Sequence, residues 1–214
     1  MFLGGEEYKT VQSSFMSTIG SAMPSSAPRA SKRDHLVDTA LTLFKRHGFH
    51  ATGIDRVIAE AGVARMTLYN HFKSKDELIL AALRRRDETF RNWFMRRVED
   101  AADDARGRLL AMFDALGEWF ATEDFSGCMF INASAEFAEG EDPIHRTCAE
   151  HKALMLDYIE ALAKDSGAAR PRALAASLFL LMEGAIVTAQ VMGRRDAALA
   201  ARRTAEVLLR DANL

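Results

Sequence analysis

Arg65, Thr67, Tyr69, Asn70 and His71 crowd into one short stretch, and Lys73 and Lys75 follow directly. Guanidinium, hydroxyl, amide and imidazole groups are the donors and acceptors that meet phosphate oxygens and base edges. The two lysines add point charges suited to phosphate. Catalytic patterns are missing: the chain holds no G-x-S-x-G, P-loop, Gly-rich dinucleotide turn or H-E-x-x-H, and its carboxylates are scattered. The chemistry these residues can do is recognition of a polyanion.

Such residues must be held on a short helix, and residues 52–78 supply one. Ile54, Val57, Ile58 and Ala61 form the apolar side of a first helix, with Thr52 and Asp55 placed to cap its start. Gly62 suits the tight conformation that ends that helix, and Val63 can close the small core behind it. Leu68 and Phe72, four apart, make the apolar side of a second helix whose other positions hold Arg65, Met66, Thr67, Tyr69 and Asn70. Upstream, Ser31 with Asp34 caps a helix that carries Leu36, Val37, Ala40, Leu41, Leu43 and Phe44 and ends at Gly48. Downstream, Ser74 with Glu77 starts a long helix through about Glu99. Spacing alone leaves two readings open, a DNA-reading helix-turn-helix and a structural hairpin with a solvated polar face.

The segment AGVARMTLYNHFKSKDEL resembles the tetracycline-repressor-like (TetR) family of bacterial transcriptional regulators, matching its core A-G-V-x-x-x-T-L-Y-x-H-F-x-x-K. RDHLVDTALTLFKRHGFHATGIDRVIAEAG resembles the same family's first helix and the approach to its second, so the close match spans residues 32–83. The resemblance implies an all-α fold of about nine helices, with a three-helix DNA-binding domain before a helical ligand-binding and dimerisation domain. It also implies roles: Thr67, Tyr69 and Lys75 on phosphates, Arg65, Met66 and Asn70 toward bases, and His71 able to do either. Arg56 on the preceding helix is a further backbone contact, beside the basic junction at Lys73. Position 66 is often small in the family; Met66 offers apolar contact instead, such as to a thymine methyl.

Charge is divided along the chain. Residues 30–75 hold eight Lys/Arg against four Asp/Glu, whereas residues 76–214 hold 18 against 24. A basic head on an acidic body suits a protein that turns one face to DNA. The expected domains are a disordered extension over 1–29, a DNA-binding head over 30–78 and a helical body over 79–214. The first 29 residues, rich in Ser and Gly with Pro24 and Pro28, show no helical or strand period and no run apolar enough for a leader; Met16 and Met23 are alternative starts. The rest of the chain is also read as free of membrane spans, which predicts a cytoplasmic protein.

In the body, helices are expected near 104–121, 127–138, 143–164, 171–192 and 197–211, broken at Gly127, Gly140–Pro143, Gly167–Pro171 and Gly193. Residues 171–192 are apolar nearly all round, which predicts burial on more than one side. With 197–211 they resemble the helix pair through which TetR-family proteins form homodimers. By the same resemblance an effector enters a pocket among the middle helices. Trp119, Phe120, Met129, Phe130 and Phe137 are its candidate walls, with Met155, Phe179 and Met182. Asn132, Gln190 and Glu183 are its candidate polar anchors, which predicts a small apolar or aromatic ligand. The stretch SGCMFINASAEF resembles one branch of the family; its Cys128 is either a small buried hydrophobe or, at a helix start, a reactive thiol. Arg84, Arg85 and Arg86 read as a solvated face or as ion pairs between head and body. His145, Cys148 and His151 are metal-ligand types on one helix, but steps of three residues spread the outer two by about 120°, so no metal or other cofactor is assigned. The chain is read as a ligand-responsive regulator, most simply a repressor on an inverted repeat, and not an enzyme. The alternative is an all-α small-molecule-binding protein or enzyme that uses the apolar cavity without DNA.

Overall fold

In the computed structural model residues 31–214 are described, and among them there are nine helices and no strand. The expected disorder of residues 1–29 lies outside the described residues. The head is built from α1 (Lys32–His47), α2 (Ile54–Ala61), α3 (Arg65–Tyr69) and the first turns of α4 (Lys75–Ala101). The body adds α5 (Ala105–Ala121), α6 (Met129–Glu136), α7 (Pro143–Asp165), α8 (Pro171–Met192) and α9 (Ala197–Asp211).

Local chemistry sets most boundaries. Ser31 Oγ accepts from Asp34 N at the start of α1, Ser74 Oγ from Glu77 N at the start of α4, and Asp104 Oδ1 from Gly107 N at the start of α5. Each removes one unpaired backbone donor, an effect of about 1 kcal/mol. Gly62 ends α2 at φ 61°, a left-handed conformation that costs a side chain steric strain. One expected cap is corrected. Gly53, not Thr52, is the N-cap of α2. Thr52 is fully buried, and its hydroxyl donates to the Gly48 carbonyl at 2.7 Å, pinning the α1–α2 turn instead of opening the helix.

One apolar core runs through both parts. Leu36, Val37, Ala40 and Phe44 of α1 meet Leu68, Phe72, Leu78 and Ile79 in the head, while Phe90, Phe94 and Val98 of the same α4 are buried in the body. The second helix of the hairpin is shorter than its spacing suggests: α3 stops at Tyr69, and Phe72 enters the core from the turn that follows. In the body α7 and α8 pack together, and α9 lies against α5 and α8. Helix α8 departs from expectation. It is long and apolar enough to cross a membrane by length and composition, and it is buried on one side only. Leu180, Val187 and Val191 stand exposed along its outer stripe, beside exposed Leu199 and Val207 of α9.

The body core contains one polar cluster. Asp87 of α4 takes a two-point contact from Arg91 at 2.8 and 2.7 Å, and His151 Nδ1 of α7 bonds the same carboxylate at 2.7 Å. The His151 ring stacks on Phe130 with centroids 3.7 Å apart. Burial outweighs the attraction of Asp87 and pushes the His151 pKa down from 6.5 to about 4. Burial also works against the Asp87 carboxylate, but the bonds from Arg91 and His151 hold its pKa below the usual value. From pH 6.5 down to about 4 the unfolded chain takes up a proton at His151 that the folded chain refuses, so acid destabilises the fold. Asp87 adds to that loss only at still lower pH. Urea unfolding at about pH 7 and pH 4.5 is expected to differ by roughly 2–3 kcal/mol through this residue. In H151Q that part of the pH dependence is expected to vanish while the remainder persists.

Candidate nucleic-acid interface and its link to the body

Helices α2 and α3 meet at Gly62, and the short α3 turns its polar side outward. Leu68 is fully buried under it. Arg65, Met66, Tyr69, Asn70, His71 and Lys73 are all exposed, and Thr67 and Lys75 are half-buried. Met66 is 70 % exposed among these polar groups. The side chains singled out from the sequence therefore form one continuous outer face. Its charges are held by local partners: Arg65 pairs with Asp55 of α2, and Arg56 Nη2 lies 2.8 Å from His47 Nε2. The His47 pKa is lowered, first by desolvation and then by Arg56 and Arg46. Lys75 Nζ donates to the His50 carbonyl at 3.2 Å, which aims the ammonium across the turn between α1 and α2. Arg33 lies over the Phe72 ring at 5.2 Å and covers the other flank.

A contact absent from the sequence reading ties this head to the body. Glu136, at the end of α6, accepts from Phe49 N at 2.9 Å and from His50 N at 2.6 Å. His50 Nε2 sits 2.9 Å from the Glu136 carbonyl, and the His50 and Phe137 rings are 4.7 Å apart. Lys45 of α1 pairs with Asp124 in the loop between α5 and α6. Arg85 of α4 reaches Asp34 of α1 at 2.5 Å and Asp38 at 3.5 Å, which meets the expectation of ion pairs for that arginine. A displacement of α6 thus bears on the backbone at His50, and through it on Lys75.

The candidate effector residues separate into groups. Trp119, Cys128, Phe130, Met155, Met182 and Glu183 line one cavity between α4, α5, α7 and α8. It has only about 20 Å³ of space, little more than one water needs, too little for an effector as it stands. Met129 and Asn132 face a separate recess against α1. Gln190 donates to Asn132 Oδ1 at 3.0 Å and lies so close over Gly127 that a Cβ there would sit 1.9 Å from its amide oxygen. Phe120 is fully buried core, Phe179 packs on the core rim, and Phe137 serves the junction with the head. Those three are corrected as cavity walls. The metal-ligand types on α7 also go separate ways: His145 Nδ1 lies 2.7 Å from the Phe137 carbonyl, and His151 takes Asp87. Burial pushes the Cys148 thiol up to about 12. Cys128, the N-cap of α6, is buried with Lys152 Nζ 3.5 Å from its sulfur. Lys152 is otherwise held by Glu183 at 2.6 Å.

Arg86 is the residue that the sequence reading misplaced. It is half-buried, takes part in no ion pair among the described residues, and stands in the wall of the cavity against Phe90 and Trp119. Its place four residues before buried Phe90, on the same face of α4, was the available signal.

A three-helix head that exposes such a helix, mounted on a helical body, defines a helix-turn-helix DNA-binding protein. Residues 36–82 match the family described as bacterial regulatory proteins, tetR family, and residues 105–205 match the tetracyclin repressor-like C-terminal domain. The solved TetR-family transcriptional regulator SCO4454 from Streptomyces coelicolor is 32% identical, superposes with a TM-score of 0.80, and is covered over 96% of its length by 86% of this chain. A putative TetR transcriptional regulator from Streptomyces avermitilis is 29% identical with a TM-score of 0.73, over 86% of this chain and 99% of that one. The HTH-type transcriptional regulator LmrA of Bacillus subtilis is 26% identical over 158 residues, 72% of this chain and 84% of the relative. The chain belongs to the TetR family of transcriptional regulators.

Glu136 gives the link between the two parts a direct test. E136A removes a charged acceptor from two backbone donors that must then turn to water. A loss of about 1–2 kcal/mol in urea unfolding is expected, together with faster amide exchange at Phe49 and His50. Unchanged exchange at those two amides would remove the contact from any account of coupling.

Proposed function

We propose that the protein is a homodimeric, ligand-responsive repressor that binds an inverted-repeat operator and leaves it when an effector occupies the body. The outward face of α3 carries this reading: Arg65, Met66, Asn70 and His71 are exposed toward base edges, Arg65 beside its partner Asp55, and Thr67, Tyr69, Lys73 and Lys75 flank them for phosphates, with Arg56 beside them. Domain roles follow, with residues 30–78 reading DNA and 79–214 sensing and pairing in the cytoplasm, where the DNA lies. The matched relatives are transcriptional regulators, which favours this reading over an enzymatic use of the cavity.

A single five-residue helix cannot supply operator affinity, so the head must act in pairs. The exposed apolar stripe of α8 and α9 supports pairing. Leu180, Val187 and Val191 recur at steps of seven and four, within about 40° of one another around the helix. Two copies joined there on a twofold axis form a four-helix contact, and their recognition helices can enter successive major grooves about 34–36 Å apart. An effector then acts by linkage, weakening DNA binding only as far as it prefers the splayed form. A coupling of about 3 kcal/mol weakens binding about 150-fold.

Capture of sheared genomic DNA by the purified protein, with sequencing of the bound fragments, is expected to return a few sites that share an inverted repeat. Uniform salt-sensitive background would refute operator recognition by the free protein. On the recovered operator, K75A is expected to weaken specific and random DNA alike and to lower the salt slope by about one. R65A is expected to relax preference at one or two base pairs, at a cost of about 1–3 kcal/mol. Equal losses for both variants on both DNAs would overturn this division of roles. The double variant L180E/V191E is expected to sediment as a folded monomer and to lose operator binding; a dimer of unchanged affinity would place the contact elsewhere.

A further inference from the structure

The unpaired guanidinium in the cavity wall has a further consequence. Arg86 lines both the small inner cavity and a cleft of about 650 Å³ between α1, α4 and the loop at 123–127. That volume lies in the range of small-molecule sites. The guanidinium packs over the Phe90 ring at 5.0 Å and the Trp119 ring at 5.9 Å. Of the carboxylates near it, Asp124 pairs with Lys45 and Glu183 holds Lys152, while Glu123 lines the cleft in no ion pair among the described residues. Desolvation accordingly lowers the Arg86 pKa, against the raising influence of Cys128 and Asp124. A half-buried guanidinium without a counter-ion, with its nitrogens accessible from the cleft, is a ready partner for an arriving anion. The cleft also carries an excess of positive charge, with Lys45, Arg46 and Arg86 against Glu123 and Asp124. Its apolar wall is aromatic: Phe125 lines it, edge-on to Trp119 at 5.1 Å.

We propose that Arg86 is the anchor of the effector site, and that the effector is an aromatic carboxylate. Its carboxylate takes two parallel hydrogen bonds from the guanidinium. Its ring lies against Phe125, Leu41 and Met129 in the cleft. This deepens the ligand-responsive reading and rests on it, and it adds an anionic group to the small apolar or aromatic ligand expected from the sequence. The position also supplies the coupling. A carboxylate at Arg86 stands beside Lys45 and Asp124, which line the same cleft, and competes with Asp124 for the ammonium that ties α1 to the body. Occupancy of the cleft is thereby felt at the same edge where Glu136 grips the head.

Calorimetric titration of the full-length protein with benzoate, cinnamate and 1-naphthoate, each beside its primary amide, tests the site. At least one carboxylate is expected to bind about 10- to 100-fold tighter than its amide. R86M, which keeps the apolar stem, is expected to lose that preference while its melting temperature without ligand stays that of a folded protein. R86K, which keeps the charge, is expected to retain part of the preference. The proposal is overturned if no carboxylate binds the wild type at millimolar concentration, if amides bind equally well, or if R86M discriminates as the wild type does. The same ligands added to an operator gel shift separate the two readings. Arg86-dependent binding with release of DNA supports both. Arg86-dependent binding with DNA occupancy unchanged upholds the anion site and sinks the effector role.

Discussion

A single unbroken helix sets the geometry of this molecule. Helix α4 runs 27 residues from Lys75 to Ala101, about 40 Å at 1.5 Å per residue. Its first turns are buried under α1 and α3 through Leu78, Ile79, Ala82 and Leu83, and its later turns lie in the body through Phe90, Phe94 and Val98. Because both cores close on one rod, the head cannot turn freely about a linker. What remains adjustable is the set of lateral ties beside α4. Glu136 on the turn after α1, Asp124 on Lys45, and Arg85 on Asp34 and Asp38 make up that set.

These ties differ in strength, and the difference matters for switching. Exposed ion pairs such as Lys45–Asp124 contribute little to stability, typically 0–1 kcal/mol, so they break and re-form cheaply. The Glu136 carboxylate is better placed, since it takes two backbone N–H groups that have no partner within the helices. The body meanwhile holds its own register through Asp87, Arg91 and His151, a cluster that couples α4 to α7 and penalises protonation. A stiff body, a stiff head and weak lateral contacts between them suit a two-state element that a ligand can bias by a few kcal/mol.

The cavity shows how packing redistributes residues that look alike in the sequence. Phe120, Phe137 and Phe179 have the same chemistry as Trp119 and Phe130, yet only the latter two reach the inner cavity. Helical period places a residue on a face, but which neighbour that face meets depends on how α4, α5, α7 and α8 cross. Gln190 and Asn132, plausible as ligand anchors, satisfy one another over the close approach at Gly127. Arg86 is the reverse case, a residue resembling surface charge that the crossing of helices turned inward.

The sequence by itself determined many of the helix boundaries and the character of the head. Caps at Ser31 and Ser74, stops at Gly48 and Gly62, and the apolar stripes of α1 and α2 act over one or two turns, so local order was enough to read them. The outer face of α3 was legible for the same reason, together with its family resemblance. Tertiary structure alone decided three things: the burial of Thr52 in the α1–α2 turn, the reach of Glu136 to the Phe49 and His50 amides, and the inward place of Arg86. The latter two rest on contacts between residues far apart in the chain, such as the 87 positions between Phe49 and Glu136. Thr52 is the near case, its hydroxyl turned back on the end of α1 by the packing of the head instead of forward as a cap. Such contacts are chosen by the close packing of whole helices, which the period of any one helix does not encode.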